Sequence, residues 1–201
     1  MKKNILAYLI VFALVLTSYQ FAIAGSNENL TIPKPLLNAF DKGYNGISYT
    51  LLETKSGAKH QQATMEIQCK NSSTYRIETI DKNNEKTVIG VNPKNSWIHN
   101  VKDNTVIVSD ANPDADFKAV IINASKISEG NDGIFLTYEI KSSKSRNVTI
   151  LYLDPKENFI AKQIMKNSKG KVILQSETFN LKREKHDDSL FEVPKGAKIV
   201  K

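Results

Sequence analysis

From residue 46 onward, apolar side chains recur at every second position through most of the chain. That period belongs to a strand with one buried face. It predicts strands over 46–54, 61–70, 73–80, 85–91, 96–101, 104–109, 133–142, 146–153, 159–166 and 172–183. The links between them are short and rich in Asn, Asp, Gly and Pro: Ser56-Gly57, Asn83-Asn84, Asn92-Pro93-Lys94-Asn95, Asp103-Asn104, the turn from Asp154 to Asn158 and the turn from Asn167 to Gly170. Such residues form turns locally, and a parallel crossover needs a dozen or more residues, so successive strands are expected to pair as antiparallel hairpins.

The period changes to that of a helix in two places. Pro33 and Pro35 fit a first helical turn, and Ile32, Leu37, Phe40 and Tyr44 recur behind them until Gly43 and Gly46 intervene. Further on, Asn112 can cap a helix whose first turn holds Pro113, Asp114 and Asp116. Phe117, Val120, Ile121, Ala124 and Ile127 would form its apolar stripe, with Gly130 beyond the end. The fold class expected is mainly β with two or three short helices. A long antiparallel meander with so little helix to cover it is expected to curl around the helices as an incomplete barrel. Such a shape either leaves an apolar cavity between sheet and helices or fills it with side chains, and composition does not choose between the two.

The first 24 residues read as an address. Lys2 and Lys3 precede an apolar run from Ile5 to Leu16, and Ala22-Ile23-Ala24 follows as a small-residue cleavage site. Residues 1–24 are therefore expected to be a secretory signal peptide cut after Ala24, and 25–31 a flexible polar lead-in. Twelve apolar residues reach about 18 Å as a helix, short of a bilayer core of about 30 Å. With no cysteine near position 25, the mature N-terminus lacks the thiol that a bacterial lipoprotein acylates.

Export changes the meaning of the charge. The whole chain carries 28 Lys and Arg against 21 Asp and Glu, a formal +7 that invites a nucleic-acid reading. Cleavage removes Lys2 and Lys3 and leaves 177 residues at +5 in a compartment with little nucleic acid. Solubility and transient contact with anionic membrane surfaces account for that balance. The lone cysteine, Cys69, cannot form an internal disulfide and falls on the apolar side of the alternation Ala63, Met65, Ile67, Cys69.

Chemistry-bearing patterns are absent. His60, His99 and His186 are too far apart for a metal-binding spacing, and no phosphate loop, nucleophile elbow or dinucleotide fingerprint occurs. Asp187 and Asp188 are adjacent, whereas general acid and base must face each other across a substrate; they read as caps for the turn at Ser189-Leu190. The expectation is a protein that is no enzyme, with no catalytic residue, metal or cofactor.

Three stretches resemble the periplasmic lipoprotein carriers and receptors of the LolA/LolB type. One is the opening helix followed by Tyr44-Asn45-Gly46-Ile47-Ser48-Tyr49. The next is Thr74-Tyr75-Arg76-Ile77-Glu78, then Val88-Ile89-Gly90-Val91 and the hairpin into Ser96-Trp97-Ile98. The last is Asp188-Ser189-Leu190-Phe191-Glu192-Val193-Pro194-Lys195-Gly196-Ala197, similar to the family's closing Leu-Phe…Pro-x-Gly signature. The resemblance implies one domain over 32–201, with helices as a lid over a cavity for acyl chains. It implies that Arg76 hydrogen-bonds the lid and holds the empty carrier closed. It also implies transfer from an inner-membrane loader to an outer-membrane acceptor, with a lipid sensor that signals to a protein partner as the alternative. Candidate cavity wall is Tyr49, Leu51, Met65, Ile67, Trp97, Phe117, Ile121, Leu136 and Tyr138, each of which reads equally as ordinary core.

Overall fold

The computed structural model describes residues 30–39, 41, 43–53, 60–80, 84–112, 116, 118–142 and 146–200, with backbone alone over 48–53 and 60–64. The expected signal peptide, most of the lead-in, Phe40, residues 113–115 and 117 of the expected second helix and the link at Ser56-Gly57 lie outside the described residues.

Helix α1 (Lys34–Ala39) leads into β1 (Tyr44–Glu53), β2 (His60–Asn71), β3 (Thr74–Ile80), β4 (Lys86–Val91), β5 (Asn95–Asn100) and β6 (Thr105–Asp110). A four-residue helix α2 (Ala119–Ile122) follows, then β7 (Ala124–Asn131), β8 (Leu136–Ser142), β9 (Val148–Asp154), β10 (Phe159–Lys166) and β11 (Val172–Lys182). A 3₁₀ turn (Asp188–Phe191) and β12 (Lys198–Val200) close the chain. All twelve strands join one sheet in the order β12-β6-β5-β4-β3-β2-β1-β11-β10-β9-β8-β7. Every pairing is antiparallel except that of β12 with β6. β7 and β12 end the order without meeting, so the barrel is incomplete.

The hairpin links work as their composition dictates. In the β4–β5, β7–β8, β9–β10 and β10–β11 links, an Asn or Asp side chain accepts from backbone N–H groups two to four residues on, satisfying donors that the turn would leave unpaired. Asn92 Oδ1 takes Lys94 and Asn95 at 2.9 and 3.0 Å, Asp132 Oδ1 takes Ile134 and Phe135, Asp154 Oδ1 takes Lys156 and Glu157, and Asn167 Oδ1 takes Lys169 and Lys171. These bonds hold the Asp132 carboxyl below its ordinary range. Positive φ values at Gly133 and Gly170 complete two of the turns without a Cβ penalty.

Two expectations about helices are corrected. Tyr44 belongs to β1, where it pairs with Cys69. The second helix ends at Ile122, and the stretch expected to carry it onward is the edge strand β7. Ala124 and Ile127 are three apart, which reads as helical. A bulge between Ala124 and Lys126 inserts one residue, so Ala124 and Ile127 still oppose Ser142 and Ile140, two positions apart on one face of β8.

The continuous register sorts the side chains onto two faces. The inner face, which carries α1 and α2, has two large apolar clusters, with the smaller pair Met165 and Leu174 of β10 and β11 on the same face. Leu36 and Ala39 of α1, with Ile121 of α2, pack on Ala124, Tyr138, Ile140, Leu151 and Leu153 from β7 to β9. Across the sheet, Met65, Ile67, Cys69, Tyr75, Ile77 and Val91 from β2 to β4 form the second, with Tyr44 against it. The outer face holds a separate cluster of Val88, Trp97 and Val106 beneath Val193 and Ala197.

Candidate functional site

The closing signature is a flap over the outer face. Asp187 caps its 3₁₀ turn by accepting from Ser189 N at 2.8 Å, and the Ser189 side chain together with that backbone bond holds the Asp187 carboxyl below its ordinary range. Phe191 is buried, and its carbonyl accepts from Trp97 Nε1 at 3.2 Å and from Asn92 Nδ2 at 2.9 Å. Gly196 adopts φ +81°, Asn104 Nδ2 donates to its carbonyl at 3.1 Å, and β12 then pairs with β6. The flap thus binds β4, β5 and β6 into one packed unit around Trp97. The ring lies over Gly90, its direct cross-strand partner.

The structure divides the expected cavity wall. Met65, Ile67, Leu136 and Tyr138 stand on the inner face of their strands, and Ile121 packs there from α2. Trp97 stands on the opposite face under the flap. The side chains of Tyr49 and Leu51, and all of Phe117, lie outside the described residues. Cys69 stands where the alternation places it, beside Met65 and Ile67, and Tyr75 and Ile77, which the sequence reading did not include in the wall, share that face. Burial pushes the Cys69 thiol up to about 12, so it is an inert core residue.

Arg76 also stands on the outer face. Its guanidinium donates to Gln68 Oε1 at 2.7 Å and pairs with Glu78 at 2.5 Å, and Glu78 is shared with Lys86. Helix α1, expected to be its partner, packs on the other side of the sheet. The alternation of β3 dictates this, because Tyr75 and Ile77 point inward and their neighbour must point out. Arg76→Leu is expected to cost about 1–2 kcal/mol through the lost charge-assisted bonds and to leave the release of any inner-face ligand unchanged. Thermal melts together with ligand displacement kinetics check both halves.

Below the flap, where β1 begins and β2 ends, lies a groove of about 910 Å³ lined by Gly43, Lys70, Lys156, Glu157 and residues 183–188. Gly43 is required there: a Cβ would stand 3.0 to 3.3 Å from the carbonyl oxygens of Cys69, Lys70 and Glu184. Among the described residues no cluster of three or more His, Cys, Asp or Glu is placed to hold a metal, and no helix is long and apolar enough to cross a membrane.

This arrangement has known counterparts. MucB in the MucA/MucB complex of Pseudomonas aeruginosa overlays with a TM-score of 0.53 at 14% identity, covering 83% of this chain and 61% of that one. The fold is shared with MucB. An uncharacterized conserved protein from Thermus thermophilus overlays at nearly its full length, with a TM-score of 0.55 at 12% identity over 83% of this chain and 94% of that one. A LolA superfamily protein from Nitrosomonas europaea aligns with a TM-score of 0.43 at 7% identity over 82% of this chain and 99% of that one. This chain therefore spans about three fifths of MucB, and the likeness is one of fold. No protein family and no curated protein matches by sequence.

Proposed function

We propose that this is an exported binding protein that takes acyl chains of lipoproteins or other lipids against the inner face of its sheet and carries them through the periplasm. It would receive them from an inner-membrane loader and deliver them to an outer-membrane acceptor, without catalysis. The apolar inner face of an open sheet carries this reading. Its strip of Met65, Ile67, Cys69, Tyr75, Ile77 and Val91 is buried within the chain, so an acyl chain reaches it only when the inner face opens. An acyl chain loses about 0.8 kcal/mol per methylene when exposed to water, or about 12 kcal/mol for a chain of roughly fifteen carbons. A soluble carrier must cover that surface and still release it, and an apolar face capped in part by a small, weakly self-sufficient helix meets both demands.

The overlap with MucB, solved in complex with MucA, favours a second reading: a regulatory module that detects lipid and then signals to a protein partner. Organic extraction of the purified protein followed by mass spectrometry, with uptake of a fluorescent fatty acid, tests the binding shared by both. Finding no lipid and no uptake overturns both. Transfer of a fluorescent lipid between two vesicle populations separates them, because the carrier accelerates it and the sensor does not.

A further inference from the structure

The groove beneath the flap holds charges that the fold leaves unused. Three of its carboxylates are committed: Asp188 to Lys70, Glu184 to the Asn45 amide, and Asp187 to the Ser189 backbone. Arg183 is spent on the backbone carbonyls of Gly43, Glu157 and Asn158. That leaves two ammonium groups, Lys156 and Lys185, and one carboxylate, Glu157, whose side chains have no hydrogen bond or ion pair among the described residues. In the same wall His186 Nε2 is enclosed without a hydrogen-bond partner among the described residues.

The position of the groove matters as much as its charge. Gly43 and Lys70 each lie one residue beyond an inner-face pair, Tyr44 and Cys69. The polar groove therefore adjoins the end of the apolar strip. A lipid whose chain followed that strip would bring its polar end to this rim.

We propose that the groove binds a phosphate-bearing zwitterionic headgroup, with Lys156 and Lys185 on the phosphate and Glu157 on an ammonium. Two unspent cations and one unspent carboxylate match that pattern, whereas a bare anion would leave Glu157 opposed to it. The assignment rests on the acyl-chain reading for the identity of the ligand as a lipid. The charge pattern itself is testable without any chain.

The test is calorimetric titration of the mature protein with three soluble probes: O-phosphoethanolamine, inorganic phosphate and ethanolamine. Phosphoethanolamine should bind more tightly than either of the others. The double variant Lys156→Gln/Lys185→Gln should weaken it by about tenfold or more, as expected for the loss of two charge contacts. Glu157→Gln should weaken phosphoethanolamine by about threefold and leave inorganic phosphate unweakened. All three positions are exposed, so the fold should survive each change, and an unaltered thermal melt confirms it. No binding of any probe, or equal affinity in wild type and variants, overturns the proposal. Phosphate bound as well as phosphoethanolamine, with no effect of Glu157→Gln, also overturns it by revealing a plain anion site. Because the probes carry no acyl chain, failure here is distinct from failure of fatty-acid uptake.

Discussion

Replacing Gly90 with alanine should lower the unfolding free energy by about 3–4 kcal/mol. A Cβ at that position would stand 2.2 Å from Cε2 and Cζ2 of Trp97, far inside van der Waals contact. The ring has no open side toward which to yield. Val88 and Val106 flank it, Val193 and Ala197 close over it, and its Nε1 is tied to the Phe191 carbonyl. Overpacking a filled site costs about 1–3 kcal/mol and sometimes more, and displacing the ring adds the lost hydrogen bond, about 1 kcal/mol. In a chain of this size the melting temperature should fall by about 10 °C. Trp97 is the sole tryptophan, so urea unfolding followed by its fluorescence reads out the stability, and a red-shifted native emission reports the unseated ring. A loss below about 1 kcal/mol would mean that the flap is not packed on Trp97 as described.

Leu36→Ala should produce the largest change on the inner face. Helix α1 has six residues, well below the length at which a helix holds itself together in water. It stays folded because Leu36, fully buried, and Ala39 pack against Ile121, Tyr138, Leu151 and Leu153. Truncating such a leucine costs about 2–5 kcal/mol, and about 3 kcal/mol of that acting on α1 alone would raise the population of the undocked helix about a hundredfold. Hydrogen exchange of the amides in 34–39 should accelerate accordingly. If the inner face holds acyl chains, displacement of a bound fluorescent fatty acid should accelerate with it. Unchanged exchange in α1 would show that other contacts hold the helix and would remove it as a lid.

Much of this architecture was legible in the sequence. The alternation located every strand from β1 to β11 except β7, and the Asn- and Asp-rich links foretold the hairpins because those side chains satisfy turn donors locally. β7 was missed because a bulge places Ala124 and Ile127 on one strand face at a helical spacing. β12 was missed because three residues, Lys198 to Val200, carry no period and pair only where β6 offers a free edge.

The site was less legible for a related reason. Periodicity says which residues share a face, and it grouped Met65 with Ile67 correctly. It does not say which face of β5 matches the inner face of β2, and only the register through β3 and β4 puts Trp97 on the outside. The groove charges come from β2, the β9–β10 turn and the segment after β11, which are distant in sequence and convey no shared pattern.

The sequence by itself determined an antiparallel meander with a short helix before it, because strand periods and turn chemistry act over a few residues. Tertiary structure alone decided the sidedness: which cluster lies beneath α1, which lies beneath the flap, and which charges remain unspent. Those outcomes depend on pairing between segments far apart in the chain, where a single bulge or register step moves a side chain from one face of the sheet to the other.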